Sequence, residues 1–229
     1  MISMARVDKK LAIAVFFMIA VLIRYYFSFY KPNFLSAISG GMFYAVLTGI
    51  GPFVGALMAI CLLRRRMRYS IFGVSVTKSL IAMICPVFLF GLFDTVSGDW
   101  QFTYTKIVII CLLYAYFEEY GWRVYLQSEL INLHKWCRIS IITVMWFAWH
   151  LNFELSVANL IFFAILFLGS WGIGQIAIRS ESVIACACFH SVVNVVQNVD
   201  ITIVSLGLIL LCVIFWFWLW YGKWCIVFK

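Results

Sequence analysis

Charge is what this chain has least of. Of 229 residues, 17 are Lys or Arg and nine are Asp or Glu, 11% together. A soluble domain needs about twice that fraction to cover its surface, so a water-soluble globular protein is excluded. Paired cysteines are also missing. The eight Cys, among them Cys61, Cys85, Cys111, Cys186, Cys188 and Cys212, are scattered through apolar runs with no CxxC. That spacing argues against a metal cluster or a disulfide framework and for small buried hydrophobes. No period of 20–50 residues repeats, and no linker is long enough to divide the chain, so a single domain over 1–229 is expected. The N-terminal run MISMARVDKKLAIAVFFMIAVLI has a basic start but no small-x-small cleavage site. It is expected to be a retained first membrane helix.

What remains is overwhelmingly apolar. Hydrophobic residues make up 66% of the chain, with a mean hydropathy of +1.05. Ten Trp, eleven Tyr and 22 Phe suit a lipid-facing surface with aromatic belts at the headgroups. The fold class is therefore all-α, a polytopic membrane protein. Cutting at charged and turn-rich clusters predicts eight spans, near 10–30, 37–63, 79–98, 103–123, 139–153, 157–178, 182–198 and 201–221. With both termini cytoplasmic, 14 of the 17 basic residues fall inside, Arg123 among them, and only Arg24, Lys31 and Lys106 fall outside. That asymmetry supports the orientation. It makes the RRRMR run at 64–68 a topology anchor, and it removes any need to read the formal charge of +8 as nucleic-acid binding.

Few ionisable groups lie within the spans, where they are costly and tend to mark function. They are Glu118 and Glu119 with Arg123 at the end of an apolar run, His150, and His190 with Asn194. The third histidine, His134, lies in a polar loop. Glu119 and Arg123 are four apart and share a helix face, so they can form an ion pair. Glu118 points about 100° away and is left as the reactive carboxylate, suited to acid or base work. His190 and Asn194 are also four apart and suit hydrogen-bond donation to a developing oxyanion. His150 would join a glutamate in holding and deprotonating a water. Alternatively, Glu118, His150 and His190 would bind zinc. The bland reading of each group is structural, as a helix-stapling ion pair or a histidine bonded between helices.

The residues also resemble a family pattern. EEYGWR (118–123) matches the EExxxR motif of the CAAX protease and bacteriocin-processing family, known as CPBP or Abi. WFAWH (146–150) resembles its FxxxH motif with Trp146 in the Phe position, a substitution expected to touch no catalytic group. HSVVN (190–194) matches HxxxN, and the likeness covers about residues 105–200. The resemblance implies an intramembrane endopeptidase of about eight helices around a buried catalytic cavity. In it Glu118 and His150 activate water, His190 and Asn194 stabilise the oxyanion, and Glu119 and Arg123 support the site. The implied substrate is a lipidated CAAX-type protein or a membrane-associated peptide, reached from the cytoplasmic side. No HExxH is present, so metal-free hydrolysis is favoured and no cofactor is expected, with zinc as the alternative.

Two other function classes compete. One is a non-catalytic immunity or scaffold protein that keeps the motifs for packing. The other is a carrier, disfavoured because no inverted repeat or Gly/Pro-broken helix pair is seen. A GxGD aspartyl motif and a rhomboid-like serine motif are both missing. The chain's length suggests a bacterial plasma-membrane protein rather than one of the endoplasmic reticulum. Expected partners are the peptide substrate and membrane lipid; oligomeric state is left open.

Overall fold

A computed structural model describes residues 9–30, 42–63 and 67–222. Nine helices run through these residues: α1 Lys9–Tyr25, α2 Met42–Gly49, α3 Gly51–Leu63, α4 Val76–Ser97, α5 Thr103–Glu119, α6 Lys135–Trp149, α7 Val157–Ser180, α8 Val183–Asn198 and α9 Ile203–Tyr221. Two continue as π-helix, α1 through Tyr26–Tyr30 and α5 through Tyr120–Gln127. Apart from one bridge between Ser70 and Ser182, no strand pairing occurs among the described residues. The helix starts obey local chemistry. Ser75, Ser156 and Ser182 each accept a backbone N–H three residues on, and Thr202 and Ser205 cap one another reciprocally.

The outward surface is apolar, the reverse of a soluble bundle. Helix α4 turns Ile84, Phe88, Leu92 and Val96 outward at four-residue spacing, and buries Ala82, Pro86, Phe90 and Asp94. Such an exposed apolar stripe needs lipid around it. Four segments are long and apolar enough to cross a membrane: Lys9–Tyr30, Val76–Ser97, Val157–Ser180 and Ile203–Tyr221. The protein is thus all-α and an integral, polytopic membrane protein.

Three expected boundaries need correcting. The span placed at 37–63 is two helices with Ile50 between them, and 37–41 lies outside the described residues. The break precedes Pro52, which has no N–H to continue a helical ladder and fits a helix's first turn. The run placed at 103–123 stays helical to Gln127, so Glu118 and Glu119 lie well inside a long rod rather than at its end. The span at 139–153 stops at Trp149, and Leu151 beyond it has a left-handed φ of 58°. His150 is therefore a helix-end residue.

Close backbone approaches hold the bundle together. A Cβ on Gly51 or Gly55 would sit 2.5 Å from the carbonyl oxygen of Ala20 or Phe16, so α1 lies directly on α3. A Cβ on Gly121 would meet Pro52 Cβ at 2.4 Å, which seats the π segment against α3. At one end of the bundle, the segment before α4 is stitched to the α7–α8 turn. Ser70 N–H donates to Glu181 O at 2.9 Å, and Val183 N–H donates to Ser70 O at 3.0 Å. Arg68 pairs with Glu181 at the same end. Arg64, Arg65 and Arg66, the core of the expected topology anchor, lie outside the described residues. Of the described cysteines, Cys111, Cys186, Cys188 and Cys212 are buried and free, as small hydrophobes would be.

Candidate active site

Helix α5 carries the glutamates through the centre of the bundle, packed against α8, α4, α3 and α2. Glu118, Glu119 and Arg123 are at most 1% exposed. The expected ion pair forms, with Arg123 Nε donating to Glu119 Oε2 at 2.6 Å. The expected place of Arg123 among the cytoplasmic cations needs correcting, because it is wholly buried and belongs to this cluster. The π segment explains how. An extra residue in a helical turn rotates the residues after it, and such segments recur at functional sites. It buries Arg123 and Gln127 together: Arg123 Nη1 donates to Ser170 O at 3.4 Å, and Gln127 Nε2 donates to Gly174 O at 3.1 Å. Gln127 Nε2 also donates to the Tyr69 hydroxyl at 3.2 Å. Burial pushes the Tyr69 phenol above its ordinary pKa, so it stays neutral there.

Glu119 has a second partner. Its Oε1 lies 2.8 Å from His190 Nδ1, 71 residues away on α8. One buried carboxylate thus spans a guanidinium and an imidazole, which offsets the cost of its burial. It also fixes the His190 ring: with Nδ1 held by a carboxylate, Nε2 is the nitrogen left to work. His150 is oriented in a parallel way. Its Nδ1 lies 2.8 Å from the Trp146 carbonyl one turn back. A carbonyl can only accept, so Nδ1 carries the proton and Nε2 presents a lone pair. The two imidazoles are thereby prepared for different tasks.

Glu118 is not free of partners. Trp146 Nε1 donates to Glu118 Oε2 at 2.8 Å, across 28 residues from α6. The substitution at the motif's first position therefore does touch this carboxylate, contrary to expectation, because Trp brings an N–H that Phe lacks. The same indole lies edge-on to the His190 ring at 5.2 Å and under the Arg123 guanidinium at 5.4 Å. Trp146 thus links all three motifs. The other oxygen, Glu118 Oε1, is buried without a hydrogen-bond partner, as is Asn194 Nδ2.

A cavity of about 950 Å³ gathers these groups. Glu118, His150, His190 and Asn194 line it, together with Tyr114 and Trp146, in an otherwise mostly apolar wall. Glu119 and Arg123 do not line it; they lie behind His190. The 100° turn between adjacent glutamates thus sends one to the cavity and one to the packing layer. The cavity can hold a peptide segment, a water on Glu118, and two donors for a developing negative charge. Among the described residues no three His, Cys, Asp or Glu side chains are gathered in a way that could hold a metal ion.

Sequence reasoning missed Trp146, Gln127, Tyr69 and Ser170 as supports. Only Trp146 carried a signal, an indole N–H where the family pattern has a hydrocarbon ring.

Residues 99–196 match the family model described as type II CAAX prenyl endopeptidase Rce1-like. The matched stretch contains all three motifs, and the resemblance drawn from them is borne out over that region. No curated protein matches the chain.

Proposed function

We propose that this chain is an intramembrane endopeptidase that hydrolyses a peptide bond in a prenylated CAAX-type or membrane-associated peptide. The observation that carries the reading is the shared cavity of Glu118, His150, His190 and Asn194, with Glu119 and Arg123 buried behind it. In this mechanism a water sits between Glu118 Oε1 and His150 Nε2. As its oxygen attacks the scissile carbonyl carbon, one water proton passes to Glu118. The carbonyl electrons move to oxygen, where His190 Nε2–H and Asn194 Nδ2–H donate to the oxyanion. For that task His190 donates from Nε2 while its Nδ1 is held by the Glu119 carboxylate. When the tetrahedral species collapses, the C–N bond breaks and Glu118 returns its proton to the leaving amine.

Glu118 as water-activating carboxylate is favoured over a zinc ion held by Glu118, His150 and His190. One Glu118 oxygen is already engaged by Trp146 and one nitrogen of each imidazole is committed elsewhere. The basic side chains that mark the stitched end of the bundle, Arg68, Lys78 and Arg179, favour a cytoplasmic location for that end and for both termini. In this reading the cavity is entered from the cytoplasmic side.

The test is cleavage of a farnesylated peptide with a CAAX terminus by purified protein in lipid vesicles. Parent protein is expected to cleave it with and without chelator, and His150→Ala is expected to lose at least about a hundredfold in rate. Equal rates for parent and His150→Ala would overturn the assignment, and metal-rescued loss with chelator would replace it with the zinc mechanism. No cleavage by folded parent protein would favour the immunity or scaffold reading.

A further inference from the structure

Tyr114 belongs to the cavity wall, and the mechanism leaves it without a task. It stands on α5 one turn before Glu118, so the two side chains share a helix face. Two residues outside α5 fix its ring. Gly49, the last residue of α2, lies flat against it. A Cβ there would sit 2.6 Å from Tyr114 Cε2 and 3.1 Å from Cζ, the carbon that bears the hydroxyl. Arg24, in the last turn of α1, bonds the hydroxyl itself. The guanidinium is anchored in turn: its Nη1 donates to the Thr48 carbonyl at 3.1 Å, and its central carbon lies 4.7 Å from the centre of the Trp149 ring. On its other side the Tyr114 hydroxyl bonds Glu118.

Donor chemistry gives these contacts a direction. A guanidinium has N–H donors and no acceptor, so towards Arg24 the phenol oxygen can only accept. Its one proton is then left for the carboxylate, which when ionised only accepts. Hydrogen bonds to an ionised acceptor are about twice as strong as neutral ones. An arginine within a membrane span is costly and tends to mark function. Here it stands behind the phenol and outside the cavity wall. The last torsion of a glutamate is broad, so a single donor leaves its carboxylate free to swing. Trp146 supplies one donor from α6, and Tyr114 supplies another from α5.

We propose that Tyr114 is a positioning residue for the hydrolysis: its hydroxyl, aimed by Arg24 and seated by Gly49, holds the Glu118 carboxylate against the attacking water. This rests on the peptidase reading. Through this contact α1 and α2, which carry none of the three motifs, take part in building the site.

The full chain in phosphatidylcholine vesicles is assayed on the farnesylated peptide. Tyr114→Phe keeps the ring against Gly49 and removes only the hydroxyl. It is expected to lower kcat about tenfold to a hundredfold, with KM within about twofold of the parent's. Arg24→Gln is expected to lower kcat less. The double variant should match Tyr114→Phe within about twofold, because Arg24 acts through the hydroxyl. An unchanged kcat in Tyr114→Phe, a loss carried by KM, or losses that multiply in the double variant would each overturn the proposal. A second readout needs no turnover. With glutamate isotope-labelled in its side-chain carboxyl, the infrared difference between parent and Glu118→Gln isolates the Glu118 carboxylate band. The same difference taken in a Tyr114→Phe background is expected to show that band shifted, and an unmoved band overturns the proposal. If Arg24→Gln does not fold, Tyr114→Phe and its band decide alone. If the parent cleaves no peptide, the peptidase reading fails by itself. The band then decides separately: a shift sustains Tyr114 as the support of Glu118, and no shift overturns it.

Discussion

Replacing Arg123 by Met would leave Glu119 with His190 as its only charge partner in a fully buried setting. The geometry sets the magnitude. Both side chains have no exposed surface, and Nε and Oε2 are 2.6 Å apart. Removing one member of such a pair costs about 3–5 kcal/mol, because the buried carboxylate loses its permanent counter-charge and keeps only the imidazole. Removing both costs far less, since Met fills the guanidinium's volume and Glu119→Gln can still accept from His190 Nδ1. For a chain of this length, each kcal/mol moves the thermal midpoint by about 2–4 °C, so Arg123→Met is expected to lower it by roughly 6–20 °C. Glu119→Gln with Arg123→Met should recover at least half of that loss. The assay is intrinsic tryptophan fluorescence during heating in one detergent, at one scan rate, because membrane proteins unfold irreversibly. A single variant within about 2 °C of the parent would refute the buried-pair argument, as would a double variant less stable than the single one.

Other consequences are equally specific. Trp146→Phe restores the family's motif residue but removes the donor on Glu118 Oε2; turnover should fall about tenfold to a hundredfold, the worth of a hydrogen bond to a charged group, and an unchanged rate would show that the contact is incidental. Gly121→Ala must displace Pro52 and is expected to destabilise by about 1–3 kcal/mol, whereas Gly172→Ala, with nothing within 4 Å of the added carbon, should be close to neutral in thermal unfolding. Asn194→Ala should lower kcat by about a hundredfold to a thousandfold with KM nearly constant, as for other oxyanion donors; a change confined to KM would reassign Asn194 to ground-state binding.

How much of this is legible in the chain differs by scale. The membrane class comes from composition, and the stripe Ile84, Phe88, Leu92 and Val96 on α4 shows where the apolar excess goes. The division between Glu118 and Glu119 is readable because it depends only on the 100° step of one helix. So is the pairing of Glu119 with Arg123 at four residues. Contacts between helices leave no such period. Nothing in spacing connects Glu119 with His190 at 71 residues, or Gln127 with Tyr69 at 58. The π segment is also invisible, since YGWRVYLQ reads as the polar end of a helix until tertiary packing buries it. Arg123 is misread for the same reason: a cation near an apparent helix end looks like a topology signal. Trp146 is the readable exception, because its N–H needs a partner when buried. Arg24 needs the fold, since only the approach of α1 to Trp149 and Thr48 brings it beside the cavity.

The central claim is that Glu118 activates the attacking water, and single-turnover cleavage by Glu118→Gln tests it most directly. The amide keeps the side chain's size and an oxygen for the Trp146 indole, but it cannot take a proton. With enzyme in excess over farnesylated peptide, and the parent's thermal midpoint retained, the predicted rate is at least about a thousandfold below the parent's. A folded Glu118→Gln protein that cleaves within tenfold of the parent would contradict the claim.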